Sequence, residues 1–184
     1  MQFTNVAIAA SSAAAVSAAT PIGQTFGVVS IASGTALQYA GWSASGRGIY
    51  AHGPAQEASC DKGIKEEFAT FHLNEAGELY LFNNGQNPPQ QIFVDRSGMG
   101  QGIMGYTTGV EPIVRNGERA GFSVEDGHLK FDGGDFQACP GYAEGAYKIW
   151  LAGSSQPGGN QNCTQIAARV QTLSDPVGCL YQQQ

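Results

Sequence analysis

The sequence predicts an all-β fold, a β-sandwich or closed β-barrel of about ten short strands with long glycine-rich loops and two disulfides. Three observations carry that reading. Of the 184 residues, 26 are glycine, and no long stretch sets apolar residues at helical spacing. Two segments alternate apolar and polar residues about a central turn, the pattern of a half-buried hairpin. Four cysteines, Cys60, Cys139, Cys163 and Cys179, stand far apart along the chain.

The first element is not a strand. No Asp, Glu, Lys or Arg precedes Arg47, residues 6–16 are apolar apart from Ser11 and Ser12, and Val16-Ser17-Ala18-Ala19 supplies the small residues a signal peptidase needs. Residues 1–19 are therefore expected to be a signal peptide, cleaved after Ala18 or Ala19. Residues 20–184 then form one β domain of about 165 residues, enough to bury roughly two-thirds of the unfolded surface. No later run reaches the roughly eighteen apolar residues of a membrane span. The tail ending Gln182-Gln183-Gln184 lacks the hydrophobic end of a GPI signal, so no membrane anchor is expected.

Within the domain, strands are expected at 25–32 and 37–42, parted by Ser33 and Gly34 as a hairpin. Residues 71–82 and 122–131 each read as strand, turn, strand. In the second, Asp126-Gly127 accepts the positive φ of a tight turn, while Leu129 and Phe131 alternate with polar neighbours. Further strands are expected at 91–95, 136–139, 146–152 and 163–173.

In an exported chain of this size four cysteines read as two disulfides. Three pairings exist. Cys60 with Cys179 and Cys139 with Cys163 is the favoured one, because it ties the last segment of the domain to its first half. The spacing contains no Cys-x-x-Cys, which argues against zinc.

Nine Lys and Arg against fifteen Asp and Glu give a net charge of -6, with the cations scattered singly, so a nucleic-acid partner is not expected. Gly100 to Gly105 matches Gly-x-Gly-x-x-Gly, but Tyr106-Thr107-Thr108 continues as strand or turn where a dinucleotide site needs a helix, so a tight glycine loop is the preferred reading. Arg96 is expected to pair with the adjacent Asp95. His52, His72 and His128 are isolated and not at metal spacing, and Ser97 lacks the Gly-x-Ser-x-Gly elbow of a hydrolase nucleophile. Glu66-Glu67, Glu125-Asp126 and Asp132/Asp135 are read as solvated loop charges, not a glycosidase pair. No catalytic residue, cofactor or metal is expected. Asn162-Cys163-Thr164 is the only Asn-x-Ser/Thr sequon, making Asn162 the candidate glycosylation site. Trp42 and Trp150, with Tyr142 and Tyr147, are the candidate glycan-stacking aromatics, weighed against a role in the core.

Longer words carry a resemblance. Met1-Gln2-Phe3-Thr4-Asn5-Val6-Ala7, Ala58-Ser59-Cys60-Asp61, Val94-Asp95-Arg96-Ser97-Gly98-Met99-Gly100-Gln101-Gly102, Ala138-Cys139-Pro140-Gly141 and Gln156-Pro157-Gly158-Gly159-Asn160-Gln161 together resemble the phiA family of fungal cell wall proteins over nearly the whole chain. The resemblance implies a secreted wall component needed for phialide and conidium formation and sporulation, with a part in stress protection and no enzymatic activity. The four-cysteine layout is similar, more weakly, to the C-terminal domain of the yeast Pir wall proteins. Three classes of function follow. A structural wall protein, whose partners are wall polysaccharide (β-glucan or chitin) or other wall proteins, is favoured over a polysaccharide-binding module and over a secreted hydrolase or effector.

Overall fold

A computed structural model describes Gly23, residues 25–53, Gln56, and residues 58–142 and 145–183. The expected signal peptide at 1–19 lies outside the described residues. The strands are β1 (Thr25–Ile31), β2 (Trp42–Ser45), β3 (Gly48–Ala51), β4 (Ser59–Cys60), β5 (Phe71–Leu73), β6 (Leu79–Leu81), β7 (Gln90–Asp95) and β8 (Ile103–Thr108). They continue with β9 (Phe122–Glu125), β10 (His128–Phe131), β11 (Phe136–Pro140), β12 (Tyr147–Leu151), β13 (Thr164–Thr172) and β14 (Cys179–Leu180).

Every pairing is antiparallel, and the ladder closes on itself. From β1 it passes through β5, β6, β7, β8, β3, β12, β11 and β13, and β13 returns to β1 over six residue pairs from Phe26↔Thr172 to Ile31↔Ala167. The result is a nine-strand barrel, with β2 added on β3 and the β9–β10 hairpin added on β13. Between barrel and sandwich, this is the barrel. Closure leaves no free edge within the ring. The period-2 alternation does the sorting: Ile92 and Val94, Met104 and Tyr106, Phe136 and Ala138, Ile149 and Leu151, and Ile166 and Ala168 all enter one core. Outside, Phe93 lies over its cross-strand partner Gly105, where a Cβ would come within 3.0 Å of the phenyl ring. An aromatic thus covers backbone that a glycine leaves bare.

The two central hairpins stand where alternation placed them. At Asp126-Gly127 both residues have positive φ, 49° and 76°, as a two-residue turn between twisted strands requires. The expected strand at 37–42 is corrected. Tyr39 has φ 64°, the Leu37 N–H is taken by Thr35 Oγ1, and residues 36–39 turn, so that the segment meets β1 only at its end, where the Tyr39 N–H donates to the Ser30 carbonyl, the Ser30 N–H donates to the Ala40 carbonyl, and Gly41 bridges to Val29. Leu37 is nevertheless buried in the core; hydrophobicity marked its destination and not its backbone shape. The strand begins at Trp42.

The C-terminal segment is fastened to the barrel. Tyr181, 1% exposed, donates its N–H to Gln90 Oε1 and accepts from Gln90 Nε2 at its carbonyl, both at 2.8 Å. The Thr70 N–H reaches the Tyr181 hydroxyl at 3.1 Å, and the Tyr106 hydroxyl donates to the carbonyl of Gln182. Cys179 pairs with Cys60 in the short β14–β4 ladder and is joined to it covalently. The second bridge joins Cys139 to Cys163, which are free of other covalent partners and lie at the ends of β11 and just before β13.

Burial pushes the hydroxyls of Tyr181 and Tyr106 up to about 12, against about 10 in an unfolded chain. A folded-state value above the unfolded one means that this stability is whole below pH ~10 and is lost as pH rises toward ~12. The expected result is a denaturant midpoint that holds to pH ~9.5 and then falls, with a loss of about 2 to 3 kcal/mol per pH unit near pH 11 if both groups titrate. A midpoint unchanged through pH 12, measured quickly enough to avoid disulfide exchange, would contradict the burial of these two hydroxyls.

Candidate functional site

Neither tryptophan offers a ring to a sugar. Trp42 is 0% exposed, lies edge-on to Phe136 and Phe71 at 5.4 and 6.4 Å between centroids, and donates its indole N–H to Ser30 Oγ at 2.9 Å. It is a core residue, and its expected stacking role is corrected. Trp150 does point away from the core, since it alternates with Ile149 and Leu151, yet it is only 6% exposed. The Pro157–Gly159 turn presses on it: a Cβ at Gly158 would fall 2.9 Å from the indole ring. That turn is tied in place by the Gly158 N–H, which donates to Gln101 Oε1 at 2.7 Å. Trp150 is thus a covered outer-face residue, and its stacking role is corrected as well.

Around it, β2, β3, β12 and β11 set Ser43, Tyr50, Lys148 and Cys139 side by side as cross-strand neighbours. Tyr142 lies on Tyr50 at 4.7 Å, and the Lys148 ammonium sits 5.7 Å from the Tyr142 ring centre and 5.9 Å from that of Trp150. Burial lowers the Lys148 pKa and raises that of Tyr50. Tyr142, 55% exposed, is the accessible aromatic of this face. Tyr147 packs partly buried against the core.

The glycine-rich stretch is a loop between the antiparallel strands β7 and β8, not a strand-to-helix turn. Its glycines serve close packing. A Cβ at Gly100 would lie 2.1 Å from the Asp95 carboxyl carbon, and one at Gly102, whose φ is +92°, 2.7 Å from the Leu151 carbonyl oxygen. The expected Asp95–Arg96 pair is corrected. Neighbours on a strand face opposite ways: Asp95 is buried and accepts the Ser97 N–H at 2.9 Å, whereas Arg96 pairs with Glu118 and with Asp132, the latter at 2.8 Å, and lies over the Phe131 ring.

The other polar candidates are dispersed. His52 donates from Nε2 to the Ala36 carbonyl, because a carbonyl can only accept, and His128 Nδ1 does the same toward Asp126. Asp135 holds Lys130, and Glu125 accepts from the Ser123 hydroxyl. Among the described residues no three His, Cys, Asp or Glu side chains gather closely enough to hold a metal ion. Asn162 is exposed, with φ 58°, and immediately precedes Cys163 of the second bridge.

Sequence reasoning passed over Phe68. It follows the acidic pair Glu66-Glu67, read as loop charge, and is 38% exposed. Gln56 fixes the segment: its amide nitrogen donates to the carbonyls of Glu66 and Phe68 at 3.0 and 3.1 Å while its oxygen takes the Ala44 N–H at 3.1 Å. The next residue, Ala69, donates its N–H to the Trp42 carbonyl at 2.7 Å. An aromatic beside charged residues was the available signal, but only the fold shows that it faces a cleft.

Comparison with known proteins bears on what such a surface is for. The model of a family described as PhiA-like secreted protein matches residues 26–182. Cell wall protein phiA of Emericella nidulans is 48% identical, over 98% of this chain and 99% of that protein. Its counterpart in Aspergillus fumigatus is 47% identical over the full length of both, and that of Aspergillus niger 46% over 98% of each. No solved structure gives a significant match.

Proposed function

This chain belongs to the PhiA-like family of secreted proteins, and from that premise we propose that it is an exported, non-enzymatic structural component of a fungal cell wall. The observation that carries the reading is end-to-end similarity, at 47–48% identity, to relatives named as cell wall proteins. In this reading it serves asexual development, in phialide and conidium formation and sporulation, and protects against stress. The architecture suits a protein that must persist outside the cell. A closed ladder limits pairing with strangers, and two bridges restrict unfolding where no chaperone acts. Its partners are wall polysaccharide, β-glucan or chitin, or other wall proteins.

Stepwise extraction of isolated walls tests the localisation and the attachment together. Release by detergent or denaturant, before any glucanase, is expected if the barrel surface makes the contact. Release by glucanase alone would show a covalent glycan bond, and absence from the wall fraction would overturn the proposal. Deleting the gene is expected to reduce phialides and conidia; normal sporulation would remove the developmental part.

A further inference from the structure

We propose that the cleft in front of Phe68 is a subsite for one neutral β-linked pyranose unit of a wall polysaccharide. This deepens the reading above, on which it rests, by naming the contact. The cleft lies between the segment before β5 and the outer side of β2, and Ser43, His52, Lys65, Glu66, Glu67 and Phe68 line it.

Phe68 supplies the apolar surface. Its side chain lies across bare backbone, 3.7 Å from where side chains at Gly27 and Gly41 would begin, and the residue stays 38% exposed. The C–H face of an equatorially substituted pyranose is the kind of surface that packs on such a ring. The rim supplies both halves of a hydroxyl's hydrogen bonding. Glu66 and Glu67 accept and Lys65 donates. His52, whose Nε2–H is spent on Ala36, keeps Nδ1 as an acceptor. One cation against two carboxylates disfavours an anion, whereas sugar hydroxyls, which donate and accept, match the mixture.

Ser43 is the independent observation. It is 3% exposed and among the residues that line the cleft, and its hydroxyl, against Gly53 in the cleft wall, has no hydrogen-bond partner. A buried hydroxyl without a partner is costly, and pockets that orient a ligand place a few such groups in their walls. Gln56 meanwhile spends its amide on the Ala44 N–H and the Glu66 and Phe68 carbonyls, so the site is braced before any ligand arrives.

The test uses the folded, disulfide-bonded protein, with laminarihexaose and chitohexaose as separate probes in calorimetry and NMR titration. Binding of either is expected, and which one binds identifies the polymer. Phe68→Ala is expected to weaken it about tenfold. Ser43→Ala is expected to weaken it about fivefold while raising the thermal midpoint, since the unpaired hydroxyl is gone. Tyr142→Ala, which removes the exposed aromatic beyond Tyr50 and does not line the cleft, is expected to change nothing. Three results would overturn the subsite: no binding of either probe by folded protein, full affinity in both Phe68→Ala and Ser43→Ala, or loss in Tyr142→Ala alone. None of these touches the wall extraction result, so the subsite and the wall assignment fail separately.

Discussion

Replacing Cys60 and Cys179 together by alanine is expected to cost about 4 to 5 kcal/mol of stability, more than the same change at Cys139 and Cys163, expected near 3.5 kcal/mol. The difference follows from the loops closed. The first bridge joins residues 119 apart and the second residues 24 apart, so the first removes more freedom from the unfolded chain. The folded state points the same way. Cys139 and Cys163 belong to neighbouring strands already held by Ala138↔Thr164 and the pairs beyond it. Cys60 and Cys179 sit in a ladder of two residue pairs, so the bridge is the main covalent hold on the segment that delivers Tyr181 to Gln90. Guanidinium unfolding of the two double variants checks the order. A larger loss at Cys139/Cys163, or a change under ~1 kcal/mol at Cys60/Cys179, would contradict it.

What the sequence made legible was what is local. The Asp126-Gly127 turn and the alternation at Leu79/Leu81 and Leu129/Phe131 specify hairpins whose partners are a few residues away. Within the barrel ring, two strands escaped notice for physical reasons. β3 is four residues long and opens on a glycine, and β8 emerges from the glycine-rich loop, so neither shows a long β-favouring run. Closure of the barrel depends on β1 meeting β13 and β3 meeting β12 across most of the chain, which no local signal announces. The candidate site fared likewise. Alternation shows that Trp150 turns away from Ile149 and Leu151, but not that the Pro157–Gly159 turn covers it. Nothing adjacent to Phe68 in sequence tells that Ser43 and His52 face the same cleft.

Trp42 is where the two readings of an aromatic in a wall protein diverge most in their consequences. As a stacking residue it would leave stability nearly unchanged when truncated. As placed by the fold, Trp42→Ala is expected to remove about 3 to 5 kcal/mol through lost transfer energy and the cavity left between Phe71 and Phe136. A further ~1 kcal/mol follows because Ser30, itself 0% exposed, loses its indole donor in a place water does not reach. Against a whole stability of roughly 5 to 15 kcal/mol for a domain, that brings the variant close to unfolding at growth temperature. Trp42→Phe keeps most of the ring volume but still strands Ser30 Oγ, so its loss should fall between wild type and alanine. Equilibrium unfolding followed by the emission of Trp150, the only tryptophan remaining in either variant, measures both. A loss below ~1 kcal/mol for Trp42→Ala would contradict its place in the core. If instead the folded fraction shrinks while the surviving folded molecules bind oligosaccharide as wild type does, Trp42 acts on the wall only by keeping Trp42–Ser45 and Phe68 in position around the cleft.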